Sequence, residues 1–241
     1  MLRHGDGVLY SASDLVNFMG CAHATYLDVG NLGTSVTFAP DDETAVLLQE
    51  KGIEHERAYL GALVAQGLTV ADIPADLPLG ERAELTRAAM REGVDVIYQG
   101  AFIAEPWHGY SDFLLRTNGV QSQLGDYAYE VVDTKLSRSA KPKHLLQLCV
   151  YAELLAREQG ALPRQMHVVL GDGTTATFRV SAVIHYFHAA CERFRAYAST
   201  PPPTSAGEPC GHCKFCRWAT RCGDEWEADG HLSIVANMSR S

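Results

Sequence analysis

Residues 127–136 read YAYEVVDTKL, a run of aromatic and β-branched residues that predicts a strand yet ends on Asp133-Thr134-Lys135. Side chains alternate across a strand, so Asp133 and Lys135 project from one face and Thr134 from the other. An apolar strand carrying a carboxylate and an ammonium on one face must pair them or use them to hold a ligand, because burying either charge alone is costly. An isolated D-x-K is ordinarily a salt bridge at a strand end, so the surrounding chain has to decide between the two.

Working outward, two more strand-like segments precede it: DVIYQGAF at 95–102 and GYSDFLLR at 109–116, where Asp112 interrupts an aromatic and aliphatic run. Pro106 and the turn-like NGVQSQLGD separate these strands. Downstream, Pro142 sits in the first turn of the helix KHLLQLCVYAELLARE, on which Gln147 and Tyr151 lie four apart on one face. Two further strands, RQMHVVLG and TATFRV, flank a Gly171-Asp172-Gly173 turn, and Ser181 opens a long helix to residue 198. Upstream, Ser13 is expected to cap DLVNFMG, and Asp41 or Asp42 to cap a helix through ETAVLLQEKGIEHERAYLGALVAQ. That second helix puts His55 on a face with Lys51 and Tyr59. LTVADI follows as a strand and GERAELTRAAMREG as an exposed helix. The pattern is α/β, a central mixed sheet flanked by helices.

With 241 residues, 46% of them hydrophobic and 20% charged, the chain suits one large domain with a small appendage and buries a core without staples. No apolar run approaches the roughly 18 residues of a membrane span. The N-terminus lacks the basic-then-apolar pattern of a secretory leader, so a cytoplasmic location without a membrane partner is expected. A formal charge of −9 counts against a protein that merely coats nucleic acid. It leaves room for an enzyme whose carboxylates gather cations.

Seven cysteines without a leader argue against a disulfide framework. Cys210, Cys213, Cys216 and Cys222 crowd into CGHCKFCRWATRC, behind a proline-rich connector at 200–209. So dense a set in a reducing compartment is a metal site. Read from spacing alone, four local thiolates could hold zinc, with His212 as a fifth candidate ligand. Cys149 and Cys191 fall within helices and read as core.

Taken in order, Gly52/His55, Asp112, Asp133-Thr134-Lys135 and Gln147/Tyr151 resemble the RecB-like branch of the PD-(D/E)xK nucleases. The family pattern is a helical G-x-x-H, a strand Asp, a strand (D/E)-x-K and a helical Q-x-x-x-Y, and the likeness covers nearly the entire chain. Ser111 stands where the family name implies proline, a position that is degenerate in the family. The resemblance implies a restriction-endonuclease-like core at 1–199 and a Mg²⁺- or Mn²⁺-dependent deoxyribonuclease, an exonuclease, acting in DNA repair or processing. Asp112, Asp133, His55 and the Thr134 carbonyl would hold the metal. Lys135 would orient or activate the water, and Gln147 and Tyr151 would position Lys135 or the DNA. Implied partners are DNA, single-stranded or with free ends, and a helicase or further domains.

The triplet Cys213, Cys216, Cys222 is also similar to that of iron–sulfur members of this family, the AddB-type nuclease subunits and CRISPR-associated exonucleases. In them one distant upstream cysteine supplies the fourth ligand. Cys21, alone in the N-terminal half, fits that role, implying a [4Fe–4S] cluster that staples the segment around Cys21 to a lobe at 210–241, about 190 residues away. Cys210 would then be spare. The apolar tail HLSIVANMSRS resembles the link by which some bacterial relatives continue into further domains. Two other readings remain open from sequence: a catalytically silent nuclease-like module that binds DNA or protein, and a zinc-stabilised interaction domain.

Overall fold

A computed structural model describes residues 1–38, 40 and 43–235 of the chain. A short hairpin of β1 (Leu2–His4) and β2 (Gly7–Leu9) leads into α1 (Ala12–Gly20), α2 (Ala22–Gly30) and the long α3 (Glu43–Ala65). There follow β3 (Val70–Asp72), α4 (Leu79–Glu92), β4 (Val96–Ala104), β5 (Trp107–Ser122) and β6 (Gly125–Thr134). Then come α5 (Pro142–Gln159), β7 (Gln165–Val169), β8 (Thr175–Arg179) and α6 (Ile184–Ser199), and α7 (Ala219–Ala228) closes the regular structure.

β3 to β8 form one six-stranded mixed sheet in chain order, parallel at β3–β4 and β6–β7 and antiparallel elsewhere. The fold is therefore α/β, a mixed sheet flanked by helices. Alternation sorts the strand residues onto two faces. Ile97, Leu114, Val131 and Val168 enter the main core with α1, α4, α5 and α6. Val96, Phe113, Val132 and Val169 meet Leu63 and Tyr59 of α3 on the other side. Among the described residues, no helix is long and apolar enough to cross a membrane.

Several sequence expectations are corrected. The first helix is capped by Ser11 rather than Ser13: Ser11 Oγ accepts from the Asp14 N–H, and Asp14 Oδ2 accepts from the Ser11 N–H at 2.8 Å. This is a reciprocal box with Asp at the third helical position. α2 and the β1–β2 hairpin were not anticipated. α4 is half-buried rather than exposed, because Ala83, Thr86, Ala89 and Met90 form one face of small and apolar residues against the sheet. β5 runs on through Ser122, where a turn was expected, and Ser122 pairs with Gly125 across an irregular register. A 3₁₀ turn at Val180–Ala182 precedes α6. The Asp41 or Asp42 cap lies outside the described residues.

The β6–α5 connection, at 135–141, is held from both sides. Lys135 N–H donates to Val169 O at 2.8 Å, and Gly171 N–H to Ser137 O at 3.2 Å. Gly171 makes that approach possible, since a Cβ there would lie 2.3 Å from Leu136 O. At the far end, the His144 ring accepts the Lys141 N–H at 3.2 Å and satisfies the open start of α5. Gly171→Ala is therefore expected to lower stability by about 1–3 kcal/mol in chemical denaturation, as an overpacked backbone contact does. An unchanged midpoint would show that the connection is free to move.

Candidate functional site

Three strands deliver polar residues to one row across the sheet. Phe113 pairs with Val132 and with Tyr98, so the next position sets Asp112 between Asp133 on β6 and Gln99 on β4. Asp133 is 1% exposed. Its Oδ2 lies 2.6 Å from Lys135 Nζ. The angles of that ion pair fall outside hydrogen-bonding geometry, and Oδ2 has no aligned donor among the described residues. Oδ1 faces Gln147 Nε2 at 3.4 Å, and the same amide donates to Tyr151 Oη at 3.1 Å. Asp112 Oδ2 accepts from the Thr134 N–H at 3.0 Å and from its hydroxyl at 3.3 Å.

This arrangement is electrostatically unfavourable for an anion. Burial first, and then the neighbouring Asp112 charge, push the Asp133 carboxyl up to about 7, against the opposing pull of Lys135. Burial also raises the Tyr151 hydroxyl, which therefore stays a neutral donor and acceptor. Its ring rests on β5 because Gly109 leaves room: a Cβ there would lie 2.8 Å from the tyrosine ring. Two adjacent carboxylates, one lacking a donor, are what a divalent cation bound through oxygen requires. The donor set thus fits Mg²⁺ or Mn²⁺.

Asp112, Asp133, Lys135, Gln147 and Tyr151 thus come together. His55 approaches from α3 on the other face, its Nε2 3.4 Å from Val169 O, beside the end of β6. Around Gly52 of the same helix the space is open.

Two residues were missed from sequence. Glu56, next to His55, lies close enough for the Asp112 charge, after burial, to raise its carboxyl. It accepts a hydrogen bond from the Gln99 side chain. Gln99 in turn is the one non-glycine residue at positive φ (+56°) among those described. Strain of this kind concentrates at functional sites. No local sequence signal marks it, since Gln99 reads as an ordinary strand residue.

The cysteines form a second constellation. Cys21, Cys213, Cys216 and Cys222 line one cavity, walled by Ala24, Trp218 and Trp226. The charge of Cys21 bears on each of the other three thiols. Cys210 is exposed, 3.8 Å from Cys213 Sγ. His23 was also missed: it lines the same cavity, and its buried Nε2 has no hydrogen-bond partner among the described residues. Asp28 fastens the segment, accepting from Arg217 Nε at 3.0 Å and Trp218 Nε1 at 2.6 Å. Four soft thiolate donors in an apolar pocket suit zinc or an iron–sulfur cluster. As the side chains stand, no group of three or more His, Cys, Asp or Glu among the described residues is arranged to hold a single metal ion. Cys149 is buried in the core and Cys191 packs against it.

The sequence matches no family model and no curated protein.

With divalent cations withheld, the raised Asp133 carboxyl makes a testable pH dependence. The folded state holds a proton that the unfolded chain releases near 3.8, so this group's contribution to stability falls as pH rises from there to about 7 and then levels off. Asp133→Asn is expected to be more stable than the parent above pH 7, with the advantage shrinking toward pH 4. Urea midpoints across that range check it; parallel curves would contradict the burial of a strained carboxylate.

Proposed function

We propose that the chain is a metal-dependent DNA nuclease of the RecB-like PD-(D/E)xK kind, hydrolysing phosphodiester bonds from DNA ends in repair or processing. The observation that carries this reading is the meeting of Asp112 and Asp133 on adjacent strands, with Lys135 beside the second. In-line hydrolysis needs a positioned water and compensation for charge developing on the phosphate. When bound through Asp112 and Asp133, Mg²⁺ or Mn²⁺ supplies that compensation and lowers the water's pKa. His55 and the Thr134 carbonyl are the further ligands in this reading.

The chain's own residues account for the rest. The Lys135 ammonium is held to Asp133 and, with a cation on that carboxylate, would orient the water and face the phosphate. Gln147 ties Asp133 to Tyr151, so helix α5 fixes the carboxylate's rotamer. The Thr134 N–H does the same for Asp112. In the second constellation, Cys21, Cys213, Cys216 and Cys222 would hold a [4Fe–4S] cluster whose role is structural. The cavity lining favours this set over one that replaces Cys21 with Cys210.

Lys135→Ala is expected to abolish cleavage of end-labelled DNA in Mn²⁺ while circular dichroism and iron content stay as in the parent. Cutting at the parental rate by the purified variant would sink the nuclease reading.

The cluster assignment is tested separately, on protein prepared without oxygen. Cys21→Ser should lose iron, labile sulfide and the broad absorption near roughly 400 nm, whereas Cys210→Ser keeps all three; zinc, with its filled d shell, gives no such band. The opposite pattern would place the ligands locally.

A further inference from the structure

In a chain of net charge −9, the stretch from Lys135 to Lys143 carries Lys135, Arg138, Lys141 and Lys143 and no acid, and the next carboxylate along the chain is Glu153. Arg138, Lys141 and Lys143 are exposed. The stretch begins at the carboxylate pair, where Lys135 meets Asp133, and ends in the first turn of α5, about 6 Å of helix before Gln147 returns to Asp133. Asp172, in the β7–β8 turn, lies within reach of the Arg138 charge, as Asp133 and Glu56 lie within that of Lys135.

The outer end of this basic edge meets an aromatic ring. Phe215, in the short 3₁₀ turn Cys213–Phe215, is 76% exposed, the most exposed of the large hydrophobic side chains described. Lys143 Nζ sits 5.1 Å from its ring centre, a cation over one face of the ring. Burial does not explain a phenylalanine there. It packs no core, and its neighbour Lys214 is likewise exposed.

We infer that this edge is a single-strand track: the phosphates of a DNA strand leaving the carboxylate pair follow Arg138, Lys141 and Lys143, and one of its bases stacks on Phe215. The inference rests on the nuclease reading and adds the surface that binds the strand, with the residues that favour a single strand over a duplex. The physical reason is that a basic groove tracks any phosphate backbone, whereas an aromatic face stacks only on a base with a free face, which a paired duplex does not offer. The pinned backbone of the connection, held by Val169 and Gly171, keeps the cations at fixed spacing beside the site.

The test uses the full chain with divalent cations withheld, so that cleavage plays no part. Fluorescence anisotropy of a labelled 20-mer of thymidine is compared with a duplex of equal length. Phe215→Ala should weaken single-strand binding about tenfold and leave duplex binding within about twofold, while Phe215→Trp binds the single strand as the parent does. Lys143→Ala and Arg138→Ala should each reduce the salt dependence of single-strand binding by roughly 0.7 in log–log slope. Phe215 is surface-exposed, so its variants should fold, and equal melting temperatures verify this. Single-strand binding unchanged in Phe215→Ala, an equal loss on duplex, or failure of Phe215→Trp to bind would each overturn the track. The nuclease reading falls on a different result, retained cleavage by Lys135→Ala, so the two fail distinguishably.

Discussion

The buried carboxylate of Asp133, set beside Asp112 with one oxygen lacking a donor, is the constraint around which the molecule is arranged. A core does not tolerate such an anion without help, and each neighbouring element supplies some. β6 brings Lys135 back to the same face. α5 brings Gln147, itself braced on Tyr151, and β5 carries Asp112 into the Thr134 N–H. None of these contacts removes the excess negative charge. That arrangement costs stability, which the apolar layers on both faces of the sheet offset.

The same site strains its surroundings. Gln99 occupies a left-handed conformation opposite Asp112, with its carbonyl held by Arg82 at 3.0 Å and its side chain on Glu56. The strained residue thereby links the sheet to α3, the helix that also presents His55. A residue in this conformation persists only where its neighbours over-determine it. Glu56 places a third carboxylate within the field of Asp112 and Lys135, so negative charge gathers from α3 as well as from the sheet.

Away from the carboxylates, the N-terminal helices and the final segment are joined by polar contacts rather than by a large core. Asp28 collects donors from Arg217 and Trp218, and His23 meets Ser205 at 2.9 Å. Between them lies the small apolar cluster of Ala24, Leu27, Trp218 and Cys222. So modest a cluster gives little burial, which is the situation in which a bound metal or cluster contributes most to holding two segments together. Lys143 and Phe215 meet where this part adjoins the carboxylate site, so the two constellations share one edge of the molecule.

Local pattern carried the sheet and its polar row a long way. Runs of aromatic and β-branched residues between turn signals identified the strands, and alternation put Asp133 and Lys135 on one face. The four-residue spacing of Gln147 and Tyr151 put them on one face of α5, where they share a hydrogen bond. Where local rules competed, the sequence was a poorer guide. Ser13 read as the cap of the first helix, and only the reach of Asp14 back to Ser11 moves the start to Ser11. α4 read as exposed because its buried face is built from Ala and Thr, whose small size registers as close packing only once the sheet lies against it.

What the sequence determined by itself is therefore the alternation, the order of the six strands of the main sheet and the residue types that chemistry would need. Only tertiary structure decided which of those residues meet. Cys21 lines a cavity with thiols about 190 residues away, Glu56 enters the field of Asp112, and Gln99 is bent opposite it. The physical reason is that spacing fixes direction only within one element. Charge and strain at a site arise from side chains that separate elements bring to the same few ångströms, and no local pattern encodes that meeting.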